Sequence, residues 1–207
     1  MVVLHYTAMT HEAGLARLCD PEFEVSAHWL IAPDGTALAL VPEERRAWHA
    51  GAGAWGDARD VNSRSIGIEL SHRGTHPFPA AQMAGLERLL SGITARWAIP
   101  PERVIAHSDM APGRKSDPGP RFDWRRLALA GLSVWPDPRA AQGDFDALAR
   151  AFGYVPPEDG GAEVVLRAFR SRFRPWALEA GASGPEDVAA IADLAARYPV
   201  DRTRGRG

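Results

Sequence analysis

The run Val2-Val3-Leu4-His5-Tyr6-Thr7 sets the architecture of this chain. It is short, apolar and β-branched, which predicts a β-strand. Side chains alternate between the two faces of a strand, so His5 shares a face with Val3. Similar runs recur at residues 65–70 and 104–107, separated by segments with helical periodicity. Strands that alternate with helices predict an α/β fold with a central mixed β-sheet flanked by helices.

A hairpin and a long helix are expected between these strands. Residues 25–32 and 36–41 are strand-like runs on either side of Pro33-Asp34-Gly35, a turn signal that predicts a hairpin. A helix is expected after Pro79, because apolar residues then follow at intervals of three and four. They are Met83, Leu86, Leu90, Ile93 and Trp97. The glycine- and tryptophan-rich segment 48–62 predicts a long functional loop.

The sequence pattern changes after Trp135, from alternating strands and helices to helical patterns only. The segment Trp135-Pro136-Asp137-Pro138 is typical of a linker. We predict a catalytic domain over residues 1–135 and a small three-helix bundle over residues 140–201. The bundle is expected from three amphipathic stripes. They are Phe145, Leu148 and Phe152; Val165, Phe169 and Phe173; and Val188, Ile191, Leu194 and Tyr198.

Composition narrows the possible functions. The chain has 207 residues, 45% of them hydrophobic and 24% charged, which is typical of a soluble globular protein. The formal net charge of -2 gives no general attraction to nucleic acid, so no nucleic-acid partner is expected. No apolar run approaches the ~20 residues of a membrane span. Since the chain opens on a core strand without a signal peptide, a cytoplasmic location is expected, or the periplasm or cell envelope if an N-terminal signal is missing.

A metal site in this chain must use histidine and carboxylate, because its single cysteine, Cys19, cannot form a thiolate cage. Cys19 is expected to be a buried apolar group. His5 lies within a strand, and His107 ends another. Asp117 follows in a polar loop. Two imidazoles and one carboxylate supply three ligands for zinc and leave a fourth position for water. Spacing alone leaves a structural role for each of these residues equally open.

Two further residues are candidates for acid–base chemistry. Glu69 lies in an apolar strand, on the face opposite Ile66 and Ile68, and a carboxylate there needs a partner or a function. Near a metal it could serve as a general base. Lys115 lies two positions before Asp117 and could stabilise an oxyanion.

Six motifs of residues 1–135 form a recognisable pattern. They are Val3-Leu4-His5-Tyr6-Thr7, Ser26-Ala27-His28-Trp29-Leu30, Trp48-His49-Ala50-Gly51, Ser65-Ile66-Gly67-Ile68-Glu69, His107-Ser108-Asp109 and Lys115-Ser116-Asp117-Pro118-Gly119. In this pattern residues 1–135 resemble the type 2 N-acetylmuramoyl-L-alanine amidases, zinc enzymes related to the peptidoglycan recognition proteins. The resemblance implies one Zn²⁺ per chain, bound by His5, His107 and Asp117, with Glu69 as catalytic acid/base and Lys115 as transition-state stabiliser.

The remaining histidines and one arginine are assigned by position. His49 is a candidate to contact substrate or orient the metal ligands, beside a purely structural role. Arg64 is a candidate to bind peptide carboxylates, although loop arginines are usually solvated. His28 is expected in the core or beside the metal ligands. Surface positions are expected for His11, His72 and His76.

The expected function is hydrolysis of the amide bond between N-acetylmuramic acid and L-alanine, in peptidoglycan or in muropeptides. The segment 168–175 resembles a peptidoglycan-binding module, against the alternative of a bundle that only packs on the catalytic domain. Two other functions remain open: a non-catalytic peptidoglycan-recognition protein, and a zinc peptidase that cleaves within the stem peptide.

Overall fold

The structure, a computed structural model, describes residues 1–158 and 160–200. It contains five strands, which are β1 (Val2–Tyr6), β2 (Trp29–Ile31), β3 (Ala37–Ala39), β4 (Ile66–Leu70) and β5 (Val104–Ala106). Its α-helices are α1 (His11–Cys19), α2 (Ala80–Arg96), α3 (His107–Met110), α4 (Trp124–Leu129), α5 (Phe145–Phe152), α6 (Ala162–Phe173) and α7 (Pro185–Arg197).

The strands form one mixed sheet in the order β3-β2-β4-β1-β5. The β2, β4, β1 and β5 pairings are parallel, and β3 pairs antiparallel with β2. The predicted α/β fold, with a central mixed sheet flanked by helices and further helices after it, is confirmed. The predicted hairpin is present, but its strands are only three residues long each.

Two hydrophobic layers cover the sheet. The α2 side chains predicted to form its apolar face pack on Leu4 and Ile68, with the exception of Trp97. Trp97 lies just after the helix, is 43% exposed and donates a hydrogen bond to Glu43. The indole N–H finds a carboxylate partner there at 2.6 Å, which explains why the ring stays at the surface.

The opposite face of the sheet packs against the C-terminal helices. Val3 and Ile105 of the sheet belong to the same buried cluster as Phe152, Phe169 and Leu194. The cluster therefore crosses the predicted boundary at residue 135, and the division into two domains stays a prediction. Asp201, the last residue of the predicted bundle, lies outside the described residues.

The loop 48–62 packs into the layer that contains the C-terminal helices. Trp55 is 1% exposed and makes edge-to-face contacts with Phe152 and Tyr154 of the C-terminal helical region. Gly153 permits this approach, since a Cβ there would lie 2.5 Å from the Trp55 ring. Part of the loop predicted to be functional is thus core.

Two surface features complete the fold. Cys19, at the end of α1, is exposed, so the expected burial was wrong. Gly14 and Leu18 lie on the packed side of α1, and Cys19 follows Leu18 about 100° further round the helix, on the exposed side. No helix of the described ranges is long and apolar enough to cross a membrane.

Candidate metal centre

The register of three parallel strands places the candidate residues in one row. His5 of β1 is the pairing partner of Glu69 in β4, and Leu4 pairs with Ala106 in β5. His107 follows Ala106 directly and begins α3. The carboxyl ends of parallel strands lie at one edge of a sheet, and paired residues point to the same face. Glu69, His5 and His107 therefore lie side by side at that edge.

A cavity of about 480 Å³ opens over this row. His49, Glu69 and His107 form its floor, while Lys115 and Asp117 enter from the loop after α3. Trp48, 57% exposed, lies at the same cavity. A concave site lined by several polar groups and a few apolar ones is a typical place for small-molecule chemistry.

Three side-chain atoms converge beside the cavity. His5 Nδ1 lies 2.9 Å from His107 Nδ1 and 3.1 Å from Asp117 Oδ2. His107 Nδ1 lies 3.0 Å from Asp117 Oδ2. Both histidines are nearly inaccessible, and the carboxylate is partly buried. The three predicted metal ligands are thus brought together.

The second nitrogen of each ring shows where the lone pairs point. His107 Nε2 lies 2.8 Å from the carbonyl oxygen of Ala50. A carbonyl only accepts hydrogen bonds, so His107 Nε2 donates. In the neutral ring, His107 Nδ1 then carries a lone pair and directs it at the convergence point.

A chain of hydrogen bonds assigns His5 in the same way. The Ser65 hydroxyl donates to the carbonyl oxygen of Val61 at 2.5 Å, so its oxygen is left to accept from His49 Nε2 at 3.3 Å. His49 Nδ1 then accepts from His5 Nε2 at 2.9 Å. His5 Nδ1 therefore also carries a lone pair toward Asp117.

The convergence of two imidazole lone pairs and a carboxylate oxygen, with no proton between them, calls for a cation. Electron-pair donors about 3 Å apart repel each other unless a positive charge lies among them. Among the described residues, this is the group of histidine and carboxylate side chains with metal-binding geometry.

The electrostatics of the ligands keep them in their metal-binding forms. Burial, reinforced by the proximity of His107, lowers the pKa of His5 to about 4, so His5 is neutral at pH 7. Burial alone would raise the pKa of Asp117, but the hydrogen bonds and positive charge that His107 and His5 offer when their rings are protonated hold that pKa well below the usual range. A neutral imidazole and an ionised carboxylate are the forms that bind metal.

Glu69 has an unpartnered carboxyl oxygen at this site. Its Oε2 is buried and has no hydrogen bond. Burial, together with the negative charge of Asp117, raises the pKa of Glu69 to about 8. A carboxyl group whose pKa lies near neutral can both take up and release a proton, which is what acid–base catalysis requires.

Lys115 is the only lysine of the chain, which otherwise uses arginine for its basic residues. It is exposed at the cavity, and its positive charge acts on both Glu69 and His5. An ammonium is a compact charge, whereas a guanidinium is a wide planar fork. A single lysine in an arginine-rich chain therefore indicates a local demand for the compact group.

The two tentative substrate residues differ in position. His49 lines the cavity, but its ring is held between His5 and Ser65. Gly67 makes room for that ring, since a Cβ there would lie 2.3 Å from it. Arg64 does not join the site: its backbone carbonyl accepts a hydrogen bond from the amino group of Met1, at the opposite ends of the strands.

Two of the other histidines, His28 and His72, are buried. His28 is fully buried, as expected for a core residue. Its ring accepts a hydrogen bond from the backbone N–H of Gly67 and donates one to the carbonyl oxygen of Arg45, so it joins two backbone segments. The expected surface position of His72 was wrong. It is 3% exposed, and its ring stacks on that of Phe78 with the centroids 3.8 Å apart. The polar residues that surround His72 in the sequence gave no indication of this contact.

Sequence reasoning missed three supports of the site. Ser65 and the carbonyl of Ala50 orient the two rings, and Arg114 also donates to that carbonyl at 2.6 Å. A hydroxyl and a carbonyl carry no pattern that predicts such roles. Gly67 did offer a signal, because a glycine inside a strand often marks a close approach of another group.

Comparison with known proteins gives one consistent result. Residues 1–120 match the family described as N-acetylmuramoyl-L-alanine amidase. The chain is similar to the N-acetylmuramoyl-L-alanine amidase AmiD of Escherichia coli (strain K12), with 38% identity over 97% of this chain and 84% of that protein. It is also similar to the 1,6-anhydro-N-acetylmuramyl-L-alanine amidase AmpD of Enterobacter cloacae, with 41% identity over 50% of this chain and 55% of that protein.

Two solved structures share the whole fold. The complex of Escherichia coli AmiD with anhydro-N-acetylmuramic acid-L-Ala-D-gamma-Glu-L-Lys has a TM-score of 0.86 and 36% identity, over 96% of this chain and 89% of that chain. AmpDh3 from Pseudomonas aeruginosa has a TM-score of 0.87 and 31% identity, over 96% and 91%. At this coverage the C-terminal helices belong to the shared fold.

The raised pKa of Glu69 makes stability depend on pH in the metal-free protein. Between pH 4.5 and about 8 the folded state keeps a proton on Glu69 that the unfolded state has lost. The free energy of unfolding should therefore fall as pH rises through this window, by up to about 1.4 kcal/mol per pH unit, and level off above it.

The Glu69→Gln variant keeps the shape of the side chain and removes its titration. We expect the difference in unfolding free energy between the variant and the wild type, measured by urea titration without metal, to grow in favour of the variant from pH 5 to pH 8. A difference that stays constant over this range contradicts the assignment of a buried, protonated Glu69.

Proposed function

The chain belongs to the N-acetylmuramoyl-L-alanine amidase family, and we propose that it hydrolyses the amide bond between N-acetylmuramic acid and L-alanine with one zinc ion. His5, His107 and Asp117 are the proposed zinc ligands. The observation that carries the proposal is the convergence of their three electron-pair donors at the edge of a substrate-sized cavity.

The donor set suits zinc. Zinc prefers nitrogen and oxygen ligands at about 2.0–2.1 Å in tetrahedral geometry, which places ligand atoms roughly 3.3 Å apart. The three donors here lie 2.9–3.1 Å apart, close to that spacing. Three protein ligands, rather than four, are typical of catalytic zinc. The hydrogen bonds to His49 and to the Ala50 carbonyl are the outer contacts that orient imidazole ligands.

Glu69 is the proposed acid and base. When bound, zinc supplies a Lewis acid that polarises the scissile carbonyl and lowers the pKa of water. Glu69 takes one proton from the attacking water as its oxygen bonds to the carbonyl carbon. It then delivers that proton to the amide nitrogen as the carbon–nitrogen bond breaks. The immediate products are the carboxylic acid of muramic acid and the free amine of L-alanine. The acid then gives its proton to the amine or to solvent, so atoms and protons balance.

Lys115 is the proposed stabiliser of the negative charge that develops on the carbonyl oxygen. It lines the same cavity as Asp117 and Glu69. A fixed positive charge aimed at a developing oxyanion lowers the barrier by more than it strengthens ground-state binding. Trp48, exposed at the same cavity, offers an aromatic face on which substrate can pack.

The substrate class is peptidoglycan or muropeptide. Escherichia coli AmiD and Pseudomonas aeruginosa AmpDh3 have been solved with anhydro-muramic peptides, and this supports a soluble muropeptide as substrate for the present chain. Peptidoglycan binding by the C-terminal helices and a cytoplasmic location stay predictions.

Product analysis separates this function from its alternatives. We expect purified muropeptides to release an intact stem peptide with L-alanine at its amino end, detected by mass spectrometry. Chelator should abolish the release, and Glu69→Gln should slow it by about 10²- to 10⁴-fold. Shortened stem peptides would indicate a peptidase instead. Binding to peptidoglycan without any cleavage would indicate a recognition protein.

Substitution of Lys115 tests whether its ammonium group stabilises the transition state. We expect Lys115→Met to lower kcat by about 10²- to 10³-fold with little change in KM. Lys115→Arg should recover only part of this loss, because the wider guanidinium does not place its charge at the same point. The matched control is Arg121→Lys, an exposed site on the following loop, which should leave kcat unchanged. Full activity of Lys115→Arg contradicts a positional role for the ammonium.

A further inference from the structure

A buried ion pair joins the C-terminal helices to the turn that carries His107. Arg172 of α6 donates to Asp109 Oδ2 at 2.5 Å, and both side chains are 0% exposed. Asp109 lies two residues after His107 in the short helix α3. The pair therefore connects α6 to the short helix that begins with His107, a proposed zinc ligand.

Asp109 holds the backbone from which His107 projects. Its Oδ2 accepts a hydrogen bond from the backbone N–H of Ala106 at 2.8 Å, which closes the turn around His107. Its Oδ1 accepts from the Tyr154 hydroxyl at 2.7 Å. A carboxylate that bonds the backbone at a helix start fixes the angle at which the helix leaves the strand. The direction of the His107 ring depends on that angle.

Arg172 is itself held rigidly. Its guanidinium donates to the carbonyl oxygen of Val104 at 3.0 Å and to the Ser133 hydroxyl at 3.2 Å. It also lies over the rings of Trp124 and Phe173, 4.3 and 4.6 Å from their centroids. Removing one partner of a buried pair leaves the other charge without compensation, so loss of Arg172 destabilises the buried Asp109 carboxylate that holds the turn around His107.

We propose that Arg172 is a positioning residue for the zinc site, acting through Asp109 on His107. The C-terminal helices then help to position a ligand of the metal site, in addition to anything they bind on their outer surface. This inference rests on the proposed function, because it takes His107 to be a zinc ligand.

The matched comparison is Arg172→Met against Arg170→Met. Arg170 lies on the same helix, is 3% exposed and pairs with Asp187 at 2.6 Å, with its other hydrogen bonds to carbonyls of residues 180–182. Both variants break a buried ion pair of α6, but only Arg172 reaches Asp109. Zinc affinity is measured by competition with a chromogenic chelator, on proteins that circular dichroism shows to be folded.

We expect Arg172→Met to weaken zinc binding by about tenfold or more, as for other outer contacts of metal sites, and Arg170→Met to leave it unchanged despite a lower Tm. Equal zinc affinities for the two variants overturn the proposal. If Arg172→Met does not fold, Tyr154→Phe decides the question. It removes one hydrogen bond to Asp109 and keeps the ring, so weaker zinc binding supports the proposal and unchanged binding overturns it.

The readout separates this inference from the proposed function. A wild type that binds zinc but releases no stem peptide contradicts the amidase, while the positioning role of Arg172 is still measured by affinity. Normal cleavage by the wild type, together with unchanged zinc affinity in Arg172→Met, contradicts the positioning role alone.

Discussion

The parallel register of β4, β1 and β5 is the constraint on which the rest of this structure depends. Pairing His5 with Glu69 and Leu4 with Ala106 sets three polar side chains in one row at the edge of an apolar sheet. A slip of one residue in β1 would turn His5 into the layer under α2 and remove one of the two imidazole lone pairs from the cavity. The apolar alternation of the strands, which buries Leu4 and Ile68 against α2, is therefore also what orients the proposed catalytic residues.

The site gathers groups that are unfavourable together without a cation. Two imidazole lone pairs and a carboxylate lie within about 3 Å of one another, and a nearby carboxyl oxygen has no partner. The surrounding hydrogen bonds, from Val61 through Ser65 and His49 to His5 and from His107 to Ala50, hold this arrangement in place. Binding of the proposed zinc would then contribute stability to the folded state, because the candidate ligands are already in their deprotonated forms.

The features that could be predicted from the sequence are those that depend on residues close together in the chain. Strand alternation identified the face of Glu69, and three- and four-residue spacing identified the helices of both layers, with Trp97 as an exception at a helix end. Family resemblance brought together His5, His107 and Asp117, which spacing alone left open. What could not be predicted depends on contacts distant in sequence: the stacking of His72 on Phe78, the exposure of Cys19, and the remote position of Arg64.

The buried pair of Asp109 and Arg172 belongs to this last class, since no periodicity links an aspartate after a strand to an arginine on a distant helix. It also shows why the predicted division at residue 135 is a weak guide to function. The helices after that point share a hydrophobic core with the sheet and contact the turn that carries His107.

The central claim is that the row at the sheet edge is a single zinc site with two imidazole ligands. X-ray absorption at the zinc edge of the loaded protein tests it most directly. The account predicts a shell of nitrogen and oxygen donors at about 2.0–2.1 Å with the multiple-scattering signature of two imidazoles. A signature of three imidazoles, which would make His49 a ligand rather than the support of His5, or of none, would contradict the account.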